Sequence, residues 1–142
     1  MDILARRLPS APESRWRTVL HVGGAAALAW CGMVIHNLAD LPSLTVMSRE
    51  NTWPGVLWLL LFGLWVAIPR ARWPATVLLA WGLLNLVGGA ASVLPLPLWP
   101  YHPEQSLHHY LFHGVYALMQ LPVLSLAQAE RARRGALGAR AA

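Results

Sequence analysis

The sequence predicts an all-α polytopic membrane protein, an antiparallel four-helix transmembrane bundle with its N- and C-termini on the inner side. Three observations carry this reading. The 142 residues are 56% hydrophobic and only 12% charged, where a soluble domain carries about 25% charged residues. The apolar residues gather into four runs near the length of a membrane crossing. The eleven basic residues are all arginine, and ten of them flank the runs on one side.

Residues 1–17 read as a cytoplasmic tail, with Arg6, Arg7, Arg15 and Arg17 spread through it and Pro9 and Pro12 breaking any long helix. The first span, 18–38, has an interior of Gly23, Gly24 and Ala25 to Ala27, small residues that let helices approach closely. The single cysteine, Cys31, excludes an internal disulfide. Trp30 before it is too large for a lipoprotein cleavage site. The apolar run also continues past Ala27, which favours an uncleaved span over a signal peptide. The run leaves through His36, Asn37 and Asp40, and Pro42 ends it.

After a polar loop, the second span, 52–69, is apolar nearly all round. Arg70 and Arg72 make a basic turn, and the third span, 73–93, is interrupted only by Asn85, Ser92 and small residues. The stretch 94–103 has four prolines in ten residues and cannot be helical throughout. It is expected to run along the outer surface, with Trp99 and Tyr101 at the interface. Pro103 and Glu104 suit a first helical turn, so the fourth span is placed at 104–126, with a kink expected at Pro122. Residues 127–142 read as a polar cytoplasmic tail bearing Arg131, Arg133, Arg134 and Arg140.

Orientation follows from the arginines. Only Arg49 lies in the two loops opposite the tails, so the positive-inside rule places both tails and the Arg70/Arg72 turn in the cytoplasm. Trp16, Trp65 and Trp73 then mark the inner interface, and Trp53, Trp99 and Tyr110 the outer one. The expected location is the inner (plasma) membrane, multi-pass. Membrane lipids are the expected partners, with a homo-oligomer or a larger membrane complex beyond them. Nucleic acid is excluded because the arginines sit at the ends of apolar runs. The openings of the first and third spans, Arg15-Trp16-Arg17 and Arg72-Trp73-Pro74, echo one another. A duplicated hairpin and a shared requirement of membrane insertion each account for this.

Helical spacing sorts the polar residues into stripes. Gln105, His109, His113, Tyr116 and Gln120 step by 4, 4, 3 and 4 and share one face of the fourth span. Gly82, Asn85, Gly89 and Ser92 do so on the third span, and Ala29, Gly32, His36 and Asp40 on the first. His108 falls off its stripe. At about 1.5 Å per residue, His36, Asn85, His109 and His113 all fall in the outer half of the bundle.

His36 and Asp40, and His109 and His113, are thus two i,i+4 pairs, each able to share a cation. Imidazole and carboxylate donors suit zinc, iron or copper. Asn85, Tyr116 and Gln120 stand where they could orient the ligands. For haem b, His36 would pair with His109 or His113 as axial ligands. An H-x-x-x-H pair set against a distant His/Asp pair resembles the seven-helix membrane zinc hydrolases of the ceramidase and adiponectin-receptor type. That resemblance covers these four residues alone, and four expected spans depart from seven.

Three functions fit the sequence. The first is a structural protein or an accessory subunit of a membrane complex, its polar residues acting as packing glue. The second is a transition-metal or haem-binding membrane protein. The third is an enzyme or carrier for a small lipid-soluble substrate such as a quinone, with His113 or Asp40 as acid or base. No phosphate-binding loop, nucleophile elbow or C-x-x-C is present.

Overall fold

The computed structural model describes residues 12–97, 100, 102 and 104–141. Arg6, Arg7, Pro9, Trp99, Tyr101 and Pro103 lie outside these residues. Four α-helices account for most of the chain: α1 (Pro12–Asp40), α2 (Arg49–Ala67), α3 (Trp73–Leu84) and α4 (Leu107–Ala141). The axis of α3 continues through one π-helical stretch, Asn85–Gly89, and a 3-10 turn, Ala90–Val93. There is no strand among the described residues.

Three segments are long and apolar enough to cross a membrane: Arg15–Asp40, Trp73–Val93 and Leu107–Ala139. They mark the protein as membrane-embedded, and the outward-facing side chains agree. Leu59, Leu60, Leu84, Leu111 and Leu118 are each more than half exposed, a pattern suited to lipid rather than water. The polar opening of α2, Arg49-Glu50-Asn51-Thr52, sets it apart from those three segments.

Two helix boundaries differ from the sequence expectation. The fourth helix begins at Leu107, not at residue 104. Ser106 caps it, its Oγ accepting the His109 backbone N–H at 3.2 Å, and this local bond outweighs the weaker preference of proline for a first turn. At the other end α4 runs on to Ala141, past the tail boundary expected at 127, and passes through Pro122 without ending. The segment 127–141 is polar yet rich in alanine and arginine, both strong helix formers. Hydropathy there marks where apolar character fades, not where the helix stops.

Neighbours in sequence pack as neighbours in space, and α4 closes the ring by packing most extensively against α1. Paired positions show the antiparallel order. Along α1 and α4, His36 meets His113 and Ala29 meets Gln120. Across α3 and α4, Ala90 meets His113 and Gly82 lies against Leu124. Between α1 and α2, Trp30 Nε1 donates to the Asn51 carbonyl at 2.8 Å, and Gly23 lies against Phe62.

The main core lies toward the arginine-rich end, around Val22, Ala25, Ala29, Trp58, Trp65, Leu78 and Val123. A smaller cluster of Met33, Val34, Ala90 and Tyr116 floors the opposite end. Close approach in this second region depends on glycine. A Cβ on Gly32 would stand 2.8 Å from Met119 Cβ, and one on Gly89 would stand 2.8 Å from both Cε1 and the hydroxyl of Tyr116. Tyr116 cannot retreat easily, since it is buried and its hydroxyl donates to Asn85 Oδ1 at 2.8 Å. Gly89→Ala is therefore expected to destabilise the protein by about 1–3 kcal/mol through overpacking. Gly24→Ala, where a Cβ meets nothing within 4 Å, should leave the thermal midpoint unchanged. Parallel melting curves of the two variants in detergent check this.

Candidate metal centre

The last turn of α1 and the first two turns of α4 meet at the arginine-poor end, where the i,i+4 pairs face each other. His36, Asp40, His109 and His113 each offer one ligand atom, and these atoms all lie within 4.8 Å of one another. His36 Nε2 stands 2.8 Å from His113 Nε2 and 3.1 Å from Asp40 Oδ2, and Asp40 Oδ2 stands 2.8 Å from His109 Nδ1. Asp40 is 8% exposed at its side chain and His113 is 5% exposed overall. The donors are shielded from bulk solvent without being sealed.

The end of α3 fixes His113. The last four carbonyls of a helix lack intrahelical donors, and those of the 3-10 turn find them partly on and before α4. His113 Nδ1 donates to the Ala90 carbonyl at 2.8 Å, and Gln105 Nε2 donates to the Val93 carbonyl at 3.2 Å. His36 is held by an amide relay that begins in the loop before α2. The Thr45 carbonyl accepts from Asn51 Nδ2 at 2.8 Å, so Asn51 Oδ1 must be an acceptor, here from Asn37 Nδ2 at 2.8 Å. Asn37 Oδ1 therefore faces His36 Nδ1 as an acceptor, at 3.0 Å.

This network assigns both tautomers. His36 and His113 each use Nδ1–H to donate outward, which leaves both Nε2 lone pairs pointing at one another across 2.8 Å. Two lone pairs at that distance repel unless a proton or a metal ion lies between or beside them. Asp40 Oδ2 sharpens the point, because it is buried and accepts no hydrogen bond of acceptable geometry among the described residues. Two imidazole lone pairs and a carboxylate oxygen thus converge, with His109 Nδ1 at 2.8 Å from that oxygen.

The donor set suits a borderline divalent ion. A tetrahedral ion with bonds of about 2.0–2.1 Å places its ligands about 3.3 Å apart, so the shorter contacts need open by only a few tenths of an ångström. A macrocycle between His36 and His113 has no room. An iron between axial imidazoles needs their nitrogens about 4 Å apart with a macrocycle between them. His36 and His113 are in direct ring contact, and His109 packs on His113 with centroids at 4.5 Å.

Other residues expected at the site are placed more diversely. Asn85 and Tyr116 bond each other one turn below the cluster, and the Tyr116 ring lies 5.8 Å from that of His36. Gln120 does not reach the histidines. It lies deeper and donates to the Ala29 carbonyl at 2.9 Å. His108, off the stripe, nevertheless reaches Asp40 Oδ1 at 3.3 Å from the solvent side. Asn37 and Asn51 had no place in the stripe analysis. Their signal was the run His36-Asn37 and an amide in the polar first turn of α2. A cavity of about 470 Å³ opens beside the cluster, between the end of α1, the 3-10 turn and α4.

No protein family, no curated protein and no solved structure is found to match the chain.

Proposed function

We propose that the protein is a multi-pass inner-membrane protein that holds one divalent transition-metal ion between α1 and α4, near the outer surface. The observation that carries this is the convergence of the His36 and His113 Nε2 lone pairs with Asp40 Oδ2, an arrangement without a neutral hydrogen-bonding solution. His109 Nδ1, at 2.8 Å from the same carboxylate oxygen, completes four ligands. Zinc, with its tolerance of mixed nitrogen and oxygen donors, fits best, and iron or copper are the competitors.

The topology proposed is N-in/C-in with four crossings. Its support is the gathering of ten arginines at one end. The reach of α2 adds to it: Asn51 bonds Asn37 at the metal-site end, and the Trp65 carbonyl bonds Arg134 at the other. Membrane lipids then cover the exposed leucines, and an accessory role in a larger complex would use the same faces. The quinone reading has less behind it. The large apolar groove between α1 and α2, about 660 Å³ and lined by Gly23, Trp30, Gly55 and Phe62 among others, contains no titratable side chain.

Elemental analysis tests the proposal. Protein purified in detergent without chelator, or reloaded with zinc, iron(II) or copper(II), should carry close to one ion per chain. His36→Ala with His109→Ala should lose it while helical circular dichroism persists. Wild-type protein that stays metal-free after exposure to all three ions would sink the reading.

A further inference from the structure

We infer that the cavity beside the cluster is a vestibule through which a hydrated divalent cation reaches the histidines from the arginine-poor side, with Glu104 at its mouth. This rests on the metal reading above and adds a direction and a mode of access.

The first argument is the hydrogen-bonding state of the lining. Ser92 Oγ donates to the Gly89 carbonyl at 2.6 Å, and the Tyr116 hydroxyl donates to Asn85. His36 and His113 have their Nδ1–H groups engaged behind the cavity wall. What these groups turn toward the space is therefore lone pairs, and Glu104 adds a carboxyl group. Asn37 retains one N–H. Such a lining favours a guest rich in donors and positive charge, which describes an aquated cation. It disfavours an anion, which would meet a carboxylate.

Size agrees. Water occupies about 30 Å³, so an ion with six waters needs about 200 Å³, well within the cavity of about 470 Å³. Asp40 is not part of the lining. It flanks the histidines at the outer end of α1, where His108 and His109 also reach it. Charge agrees as well. The arginine-poor end has Asp40, Glu50 and Glu104 against Arg49 alone, a net of 1 − 3 = −2, which attracts cations over several ångströms.

The path stops at the cluster. Beneath His113 lie Tyr116, Met33, Val34 and Ala90, all buried, and the main apolar core follows. The ion therefore exchanges with one side only, and the site captures and releases metal rather than passing it across the membrane.

Stopped-flow loading of cobalt(II), followed by its visible absorbance, tests this on the full chain in nanodiscs. Glu104→Gln is expected to slow association about threefold to tenfold at low ionic strength. Its rate should approach that of wild type by about 0.5 M salt, with final cobalt stoichiometry unchanged. Glu50→Gln makes the same charge change on the same end but outside the cavity lining, and should slow loading less than Glu104→Gln. Ser92→Leu, which fills the cavity, should also slow loading. Equal rates for Glu104→Gln and wild type, or equal slowing by Glu104→Gln and Glu50→Gln, would overturn the vestibule. Wild-type protein that binds no cobalt would overturn the metal reading itself, a distinguishable result.

Discussion

His113→Ala is expected to abolish metal binding and to lower stability at the same time, by about 2–4 kcal/mol. The double effect comes from the two nitrogens doing different work. Nε2 faces the cluster as a candidate ligand atom, while Nδ1–H satisfies the Ala90 carbonyl in the 3-10 turn. Removing the ring empties buried volume beside His36 and His109 and strands that carbonyl. His109→Ala separates the two effects. His109 Nδ1 is paired only with Asp40 and lies closer to solvent, so its loss should weaken metal binding and leave metal-free melting close to wild type. Metal content and melting of chelator-treated protein, measured on both variants, decide between this account and a site in which all three histidines are interchangeable. A His113→Ala protein that keeps its ion would refute it.

The largest loss of stability is expected at the other end of the molecule. Arg134→Ala should destabilise the protein by about 3–5 kcal/mol, the range for breaking a buried charged contact from one side. Arg134 is 3% exposed. Its Nη1 donates to the carbonyls of Ile68 at 2.9 Å and Ala71 at 3.1 Å, its Nη2 to that of Trp65 at 3.1 Å, and its guanidinium lies 4.8 Å from the Trp65 ring centroid. It thus caps the C-terminus of α2 and the turn into α3 from α4. A cation suits those carbonyls through the helix dipole as well as by hydrogen bonding. Its loss would also leave Glu130 with Arg133 as its ion-pair partner. Arg134→Lys should rescue little, because an ammonium cannot span three carbonyls in a plane. Arg133→Ala is the comparison. Arg133 pairs with Glu130 through two contacts of 2.8 Å but is 54% exposed at its side chain, and such pairs contribute at most about 1 kcal/mol. Equal melting of the Arg133 and Arg134 variants would refute the clamp.

Much of this arrangement was legible in the chain. Apolar run lengths located four helices, and residue 93 was the right end for the third axis. The i,i+4 periodicity put His36, Asp40, His109 and His113 on facing stripes, since helical phase is fixed by residue count alone. What escaped depended on reach or on competition between local signals. His108 is off the stripe, yet it sits where α4 begins and α1 ends, and a short lateral offset there is bridged by one imidazole. The Asn37–Asn51 relay needs two helices and a loop to converge, and amide spacing in one chain segment cannot show that. Gln120 shares the phase of the histidines but lies too deep to join them, so phase without depth overstated its part. Arg134 lies in a charged stretch that reads as a tail, whereas its alanine-rich sequence keeps the helix intact and carries the guanidinium onto α2.

The π-helical stretch at Asn85–Gly89 has a consequence for how the chain tolerates change in length. Within it the Ala90 N–H bonds to the Asn85 carbonyl five residues back as well as to that of Leu86, so this turn holds more chain than an α-helical one. Each residue added to or removed from an α-helix rotates everything beyond it by about 100°. The wide turn therefore sets two azimuths independently. Gly82 stays aimed at Leu124, while Ala90 is brought round to His113. A helix of uniform pitch would satisfy one of these contacts and miss the other. The third helix is in effect two instruments tuned separately, one for packing the apolar core and one for meeting the histidine cluster.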